Sequence, residues 1–225
     1  MIIYGKQPVY YVIERHPDKI KTLYFAKEIE KKEYNRLMRM DFKVERLHEK
    51  AAQQKSKSGN HQGFLAEVEE IRLRDLKEVT DNEFVVVLSG LTDVGNIGAI
   101  IRSAYALGAG AVIVCGLKQL GLEPILRSSS GALYDMPLVV QTNLFDVLNE
   151  LKLAGYETYG AVMDGEDIRK VSPTGKRALI LGNEAEGIPN RAEQRLDHKV
   201  SIVMANDFDS LNVSAAAAIL MDRMR

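Results

Sequence analysis

Two hydrophobic patterns divide the chain. Up to about residue 70, short apolar runs are set among charges; from Glu83 onward, unbroken apolar runs of strand length alternate with stretches of helical spacing. In the first part the pattern predicts a short helix over residues 5–14 and a strand over 22–25. An amphipathic helix over 28–40, carrying Ile29, Leu37 and Met40 among charges, leads to a strand over 42–47. A flexible basic loop over 55–60 and a returning strand over 64–68 follow. In the second part, strands are predicted over 84–88, 111–115, 136–140, 156–162, 178–181 and 199–203. Helices are predicted over 96–107, 124–133 and 144–153, and an Ala-rich helix follows Ser210. Fully apolar strands alternating with helices predict an α/β fold with a mainly parallel sheet covered on both faces. The expected organisation is a small α/β module over 1–70, a charged linker over 71–82 and a larger domain over 83–225.

Parallel sheets place ligands beyond the carboxyl ends of their strands, so three polar loops draw the chemistry. The first follows Leu88 and contains Asn96 and Arg102. Asn96 is either the helix N-cap or a site residue. Arg102, two turns into a largely apolar helix, is expected to be ion-paired or to face a ligand, because an unpaired buried charge is costly. The second loop, Leu181, Gly182, Asn183, Glu184 and on to Gly187 and Pro189, is either a glycine-containing turn or a close backbone approach to a ligand. The third follows the strand-like run Ile202, Val203, Met204 and contains Ser210, Leu211 and Asn212. Ser210 is expected to cap the final helix, exposing backbone N–H groups that suit a polar or anionic ligand.

Composition narrows the classes. With 46% hydrophobic and 27% charged residues, the chain has the make-up of a soluble globular protein, and its 225 positions suffice for one large domain or two small ones. Its first residues lack the features of a signal peptide and no apolar run approaches the roughly 20 residues of a bilayer span. One cysteine, Cys115, excludes an internal disulfide and a multi-cysteine zinc site and fits a reducing, cytoplasmic compartment. His16, His48, His61 and His198 all lie outside the three loops, which argues against histidine-based hydrolysis and against a metal centre. The glycines of the first loop are spaced G-x-x-G, so it is no dinucleotide fingerprint. The net charge of −1 hides an asymmetry: residues 31–60 carry nine Lys/Arg against four Asp/Glu. Such a patch is either a solvated helical face or a surface that captures a polyanion.

The loops also carry a family likeness. NIGAIIRSA over residues 96–104, LGNEAEGIP over 181–189 and SLNVS over 210–214 occur in this order, with SSGAL over 129–133 between the first two. Together they resemble the motifs of the SpoU/TrmH family of RNA ribose 2′-O-methyltransferases, over about residues 80–225. The amino-terminal part, with Tyr4-Gly5 and His61-Gln62-Gly63, is similar to that family's substrate-binding module. The resemblance implies a trefoil-knotted methyltransferase (SPOUT) domain preceded by an L30e-like domain, a homodimer, and S-adenosylmethionine as cofactor. Carried over by motif, Asn96, Arg102, Glu184, Ser210 and Asn212 would form the catalytic surface. Leu181, Gly182, Asn183, Gly187, Ile202, Met204 and Leu211 would hold the cofactor. The sequence departs from the family at Val203, where proline is usual, and at Ala205 and Asn206, where a glycine is. The amino-terminal module points to the ribosomal branch, which methylates a guanosine of 23S ribosomal RNA. A transfer-RNA guanosine enzyme and a catalytically silent ribosome-assembly factor are the alternatives.

Overall fold

The computed structural model describes residues 1–206 and 210–225. Residues 207–209 of the third loop lie outside the described residues. The strands form two sheets. The first, in the order β1-β4-β2-β3, joins β1 (Ile2–Tyr4), β2 (Ile20–Phe25), β3 (Lys43–Arg46) and β4 (Phe64–Val68). β4 runs antiparallel to both β1 and β2, and β2 parallel to β3. Helix α1 (Lys6–Arg15) buries Val9, Val12 and Ile13, one stripe at i, i+3 and i+4 spacing. The helix expected over 28–40 is shorter, α2 (Lys31–Leu37), because Leu37 is its one buried residue and Met38 is half exposed. Two elements escaped prediction: the three-residue β1 and α3 (Glu49–Lys55), whose single buried residue is Ala52.

The second sheet has the order β10-β8-β9-β5-β6-β7 and is parallel throughout. Its strands are β5 (Phe84–Ser89), β6 (Ala111–Cys115), β7 (Leu138–Gln141), β8 (Glu157–Asp167), β9 (Arg177–Leu181) and β10 (His198–Ser201). Alternation along β5 sends Val86 and Leu88 to one face, against Ile97, Ile100 and Leu220, and Val85 and Val87 to the other, against Val147 and Leu151. The first face is covered by α4 (Val94–Ala106), α5 (Leu122–Ser128) and α8 (Val213–Met224), the second by α6 (Leu144–Leu153). A one-turn α7 (Asn190–Glu193) follows Pro189. The first-face core continues into α1 and the first sheet, so a single apolar cluster joins both halves of the chain.

Several boundaries differ from expectation. The helix predicted over 124–133 breaks after Ser128, where the buried Ser129 hydroxyl donates to the Leu126 carbonyl and accepts the Leu133 N–H. Ser130 (φ 56°) and Gly131 (φ 99°) then turn the chain through the left-handed region. β8 runs past residue 162 to Asp167, and its register against β10 jumps: Lys199 pairs with Gly160 but Val200 with Glu166, so residues 161–165 bulge out of the ladder. β10 ends at Ser201, leaving Ile202, Val203 and Met204 outside the sheet. Ser210 does not cap the last helix. That cap is Asn212, whose Oδ1 accepts the Ser214 N–H at 2.9 Å.

Candidate active site

The carboxyl ends of β8, β9 and β10 open onto a cavity of about 800 Å³. Every predicted cofactor residue lines it: Leu181, Gly182, Asn183, Gly187, Ile202, Met204 and Leu211. The Gly182 backbone is pressed onto the following turn, so that a Cβ there would stand 2.0 Å from the Gly187 carbonyl carbon. The turn is held by Asn183, whose Oδ1 accepts the N–H groups of Ala185 (3.0 Å) and Glu186 (2.7 Å). Gly187 closes it at φ 67°. Leu181, Ile202, Leu211 and Leu220 give the cavity an apolar wall, while Asn183, Glu184, Ser210 and backbone groups supply polar edges. At one side Lys199 donates to Glu193, a hydrogen bond that holds the ammonium above its usual range.

The opposite wall, residues 161–165, was not foreseen. Only Ala161 and Val162 fall in a predicted strand, and the signal that could have marked the rest is Gly165, where a Cβ would stand 2.5 Å from the Val200 backbone. Ile202 and Met204, read as strand for their apolar character, are apolar because they face the cavity.

At the rim, the three loops meet in one chain of hydrogen bonds. Ser214 Oγ donates to Asn212 Oδ1 (2.6 Å), Asn212 Nδ2 to Asn96 Oδ1 (3.1 Å), and Asn96 Nδ2 to Glu184 Oε1 (2.7 Å). Asn96 is available for this because the N-cap of α4 is Asp93, which accepts the Asn96 N–H at 2.7 Å. Of the predicted catalytic residues, Asn96, Glu184 and Asn212 are thus in direct contact, and Ser210 lines the cavity beside them. Arg102 stands apart. It is exposed rather than buried, since the inward stripe of α4 runs through Ile97, Ile100, Ile101 and Ala104, and its Nη1 donates to Ser130 Oγ at 3.3 Å. Among the described residues it has no carboxylate partner.

A more open depression of about 640 Å³ is lined by Phe145, Arg191, Gln194 and Arg195, and holds none of the loop residues. Among the described residues no group of three or more His, Cys, Asp or Glu is placed to hold a metal ion. No described helix is long and apolar enough to cross a membrane.

Comparison with known proteins matches both parts of the chain. Residues 83–222 match the SpoU rRNA Methylase family, and residues 2–73 match the family of RNA 2′-O ribose methyltransferase substrate-binding domains. The chain is 31% identical to the 23S rRNA (guanosine-2′-O-)-methyltransferase RlmB of Vibrio cholerae, over 98% of this chain and 94% of that one. Among solved structures, AviRb, a SpoU methyltransferase from Streptomyces viridochromogenes in complex with AdoMet, superposes with a TM-score of 0.79 at 26% identity, covering 99% and 88% of the two chains. An AdoMet-bound rRNA methyltransferase from Sinorhizobium meliloti shares the fold with a TM-score of 0.80 at 23% identity, covering 99% and 85%. With the family matched across both sheets and all three loops, the chain belongs to the SpoU rRNA methylase family.

Proposed function

We propose that this chain transfers a methyl group from S-adenosylmethionine to the ribose 2′-hydroxyl of a guanosine in 23S ribosomal RNA. The observation that carries the reading is the Asn212–Asn96–Glu184 chain at the mouth of a half-apolar cavity, in a protein similar along nearly its whole length to RlmB. The cavity suits the cofactor: the Gly182 backbone has no side chain in the way, and Leu181, Ile202 and Leu211 offer an apolar seat beside polar backbone edges. When bound, S-adenosylmethionine supplies an electrophilic methyl group on a sulfonium. The protein's task is then to align a ribose oxygen with that methyl, and positioning supplies much of the rate.

Asn96, fixed between Asn212 and Glu184, orients the Glu184 carboxylate, which takes the 2′-hydroxyl proton directly or through a water. Arg102 holds the substrate phosphate and stabilises charge developing on the ribose oxygen; a guanidinium keeps its proton at any working pH and so is not the base. Ser210 contributes a hydroxyl at the cavity edge.

The finer architecture is part of the proposal. The division into 1–70, 71–82 and 83–225 is supported by the two sheets. A trefoil knot is supported by α8 lying against the same sheet face as α4, with the Arg177 guanidinium donating to the Met224 carbonyl. An L30e-like first domain is supported by its four-stranded sheet and flanking helices. A homodimer is supported by the exposed apolar residues Val203, Leu211 and Ile219 near the cavity and on α8. A cytoplasmic location suits the free thiol of Cys115.

The test is tritiated-methyl transfer onto unmodified 23S and transfer RNA, with nucleoside mapping and calorimetry of S-adenosylmethionine binding. A 2′-O-methylguanosine in 23S RNA is expected. Label in transfer RNA alone would move the substrate, and cofactor binding without transfer to any RNA would leave an assembly factor. Arg102→Ala is expected to abolish transfer while sparing cofactor affinity; near-normal turnover in that variant overturns its role.

A further inference from the structure

The seam between the two halves carries a cluster that the cavity chemistry does not use. Asp135 is its centre: Tyr11 Oη donates to Asp135 Oδ2, His16 Nε2 lies 2.6 Å from Oδ1, and Arg15 Nη1 lies 3.7 Å from Oδ2. Arg15 also donates to Tyr105 Oη at 2.9 Å, and Tyr105 Oη donates to Asp135 Oδ2 at 3.4 Å. The Arg15 guanidinium covers both the Tyr11 and Tyr105 rings, at 5.0 and 5.8 Å from their centroids. Three of these side chains come from the second half of α1 and the residue after it, the other two from the large domain.

The seam reaches Arg102 by two routes. Tyr105 is one turn along α4 from Arg102, on the same face. The second route is tighter. Gly131 sits so close to Tyr11 that a Cβ there would stand 2.6 Å from the tyrosine's own Cβ. Tyr11 therefore presses directly on the left-handed turn whose preceding residue, Ser130, accepts the Arg102 hydrogen bond. A non-glycine residue at φ 56° is costly to hold and persists where its surroundings over-determine it. Here the surroundings are the buried Ser129 on one side and Tyr11 on the other.

We propose that Ser130 is a positioning residue for Arg102, and that the docked α1, through Tyr11 and Asp135, holds Ser130 in place. The inference rests on the methyltransferase reading. It gives the amino-terminal domain a second task beyond capturing RNA: its seating sets the catalytic arginine, so that a domain displaced from the seam would bind RNA and cofactor yet turn over slowly.

The test compares Ser130→Gly, which suits the left-handed backbone but removes the acceptor, with Ser130→Asn, which tolerates that backbone and restores an acceptor. In the full-length protein, Ser130→Gly is expected to lower kcat by about tenfold or more, with RNA and S-adenosylmethionine affinities within about twofold of wild type. Ser130→Asn is expected to recover most of the loss. Tyr11→Phe, which keeps the ring but removes its hydrogen bond to Asp135, is expected to lower kcat in the same direction at unchanged affinities. A turnover-independent reading comes from the Arg102 Nε–H resonance, identified by its absence in Arg102→Lys: sharp in wild type and Ser130→Asn, broadened in Ser130→Gly and Tyr11→Phe. Wild-type kcat and a sharp resonance in Ser130→Gly, or equal losses in Ser130→Gly and Ser130→Asn, overturn the inference. If wild type transfers no methyl to any RNA, the proposed function fails, and the resonance alone decides whether Ser130 and Tyr11 hold Arg102.

Discussion

Asp93 accepts the backbone N–H of Asn96, and this leaves the Asn96 side chain to bridge Asn212 and Glu184. Either residue could have been the cap by type, and sequence alone could not choose, because both are good cap formers a few positions apart. The assignment has a measurable consequence. Asn96→Ala should lower methyl transfer by roughly 100-fold, in the range for losing a residue that orients a general base, while moving the melting temperature little. Asp93→Ala should instead lower stability by about 1 kcal/mol, measured by urea denaturation. The exposure of Arg102 was hidden for a different reason: its neighbours are apolar in composition, but the helical phase turns it outward, and exposure follows phase. Cys115 is buried in β6, and burial pushes its thiol up from 9.0 to about 12. Ellman's reagent should therefore leave the native thiol unreacted at pH 8 and label it on unfolding. Rapid labelling of folded protein would contradict the packing of β6.

At the level of elements, long periodic segments were the legible ones. α1, α4, α6 and the strands β5, β6 and β9 lie within a residue or two of their predicted bounds, because each presents several apolar positions at one period. Failures came where an element is too short to show a period, as in β1, where it buries a single residue, as in α3, or where apolar residues serve a cavity instead of a core, as after β10. The start of α8 shows how a cap can belong to two structures at once. Asn212 Oδ1 caps the helix while its Nδ2 fixes Asn96. Asn212→Ala should thus cost about 1 kcal/mol of stability and lower transfer together. Asn212→Asp, which keeps the cap acceptor but not the amide donor, should restore the urea midpoint and not the activity.

For the whole molecule, burial is the leading cause of a set of raised acid constants. Tyr10, Tyr134, Tyr156 and Tyr159 are each pushed up from 10.0 to about 12, and Cys115 shares the direction. In each case the folded state keeps a proton that the unfolded chain releases, so their contribution to stability is full below the unfolded values and is lost as pH rises toward 12. The urea midpoint should fall steadily from pH 9 to pH 12; a flat alkaline limb would mean that these hydroxyls are solvated in the folded state. The two-part organisation was legible from charge and pattern, and the three loops from the carboxyl-end rule. The seam was not, since nothing local to Tyr11, His16 or Asp135 shows that residues more than a hundred positions apart will share one carboxylate.

The jump in pairing between β8 and β10 bears on how such a protein can change. Residues 161–164 are excused from the ladder while Gly165 is pinned against the Val200 backbone, so the number and kind of the four can vary without shifting the strands on either side. Ligand fit and architectural integrity are thereby uncoupled along this border, and a lineage could resculpt what the crevice accepts by lengthening or trimming that excursion alone.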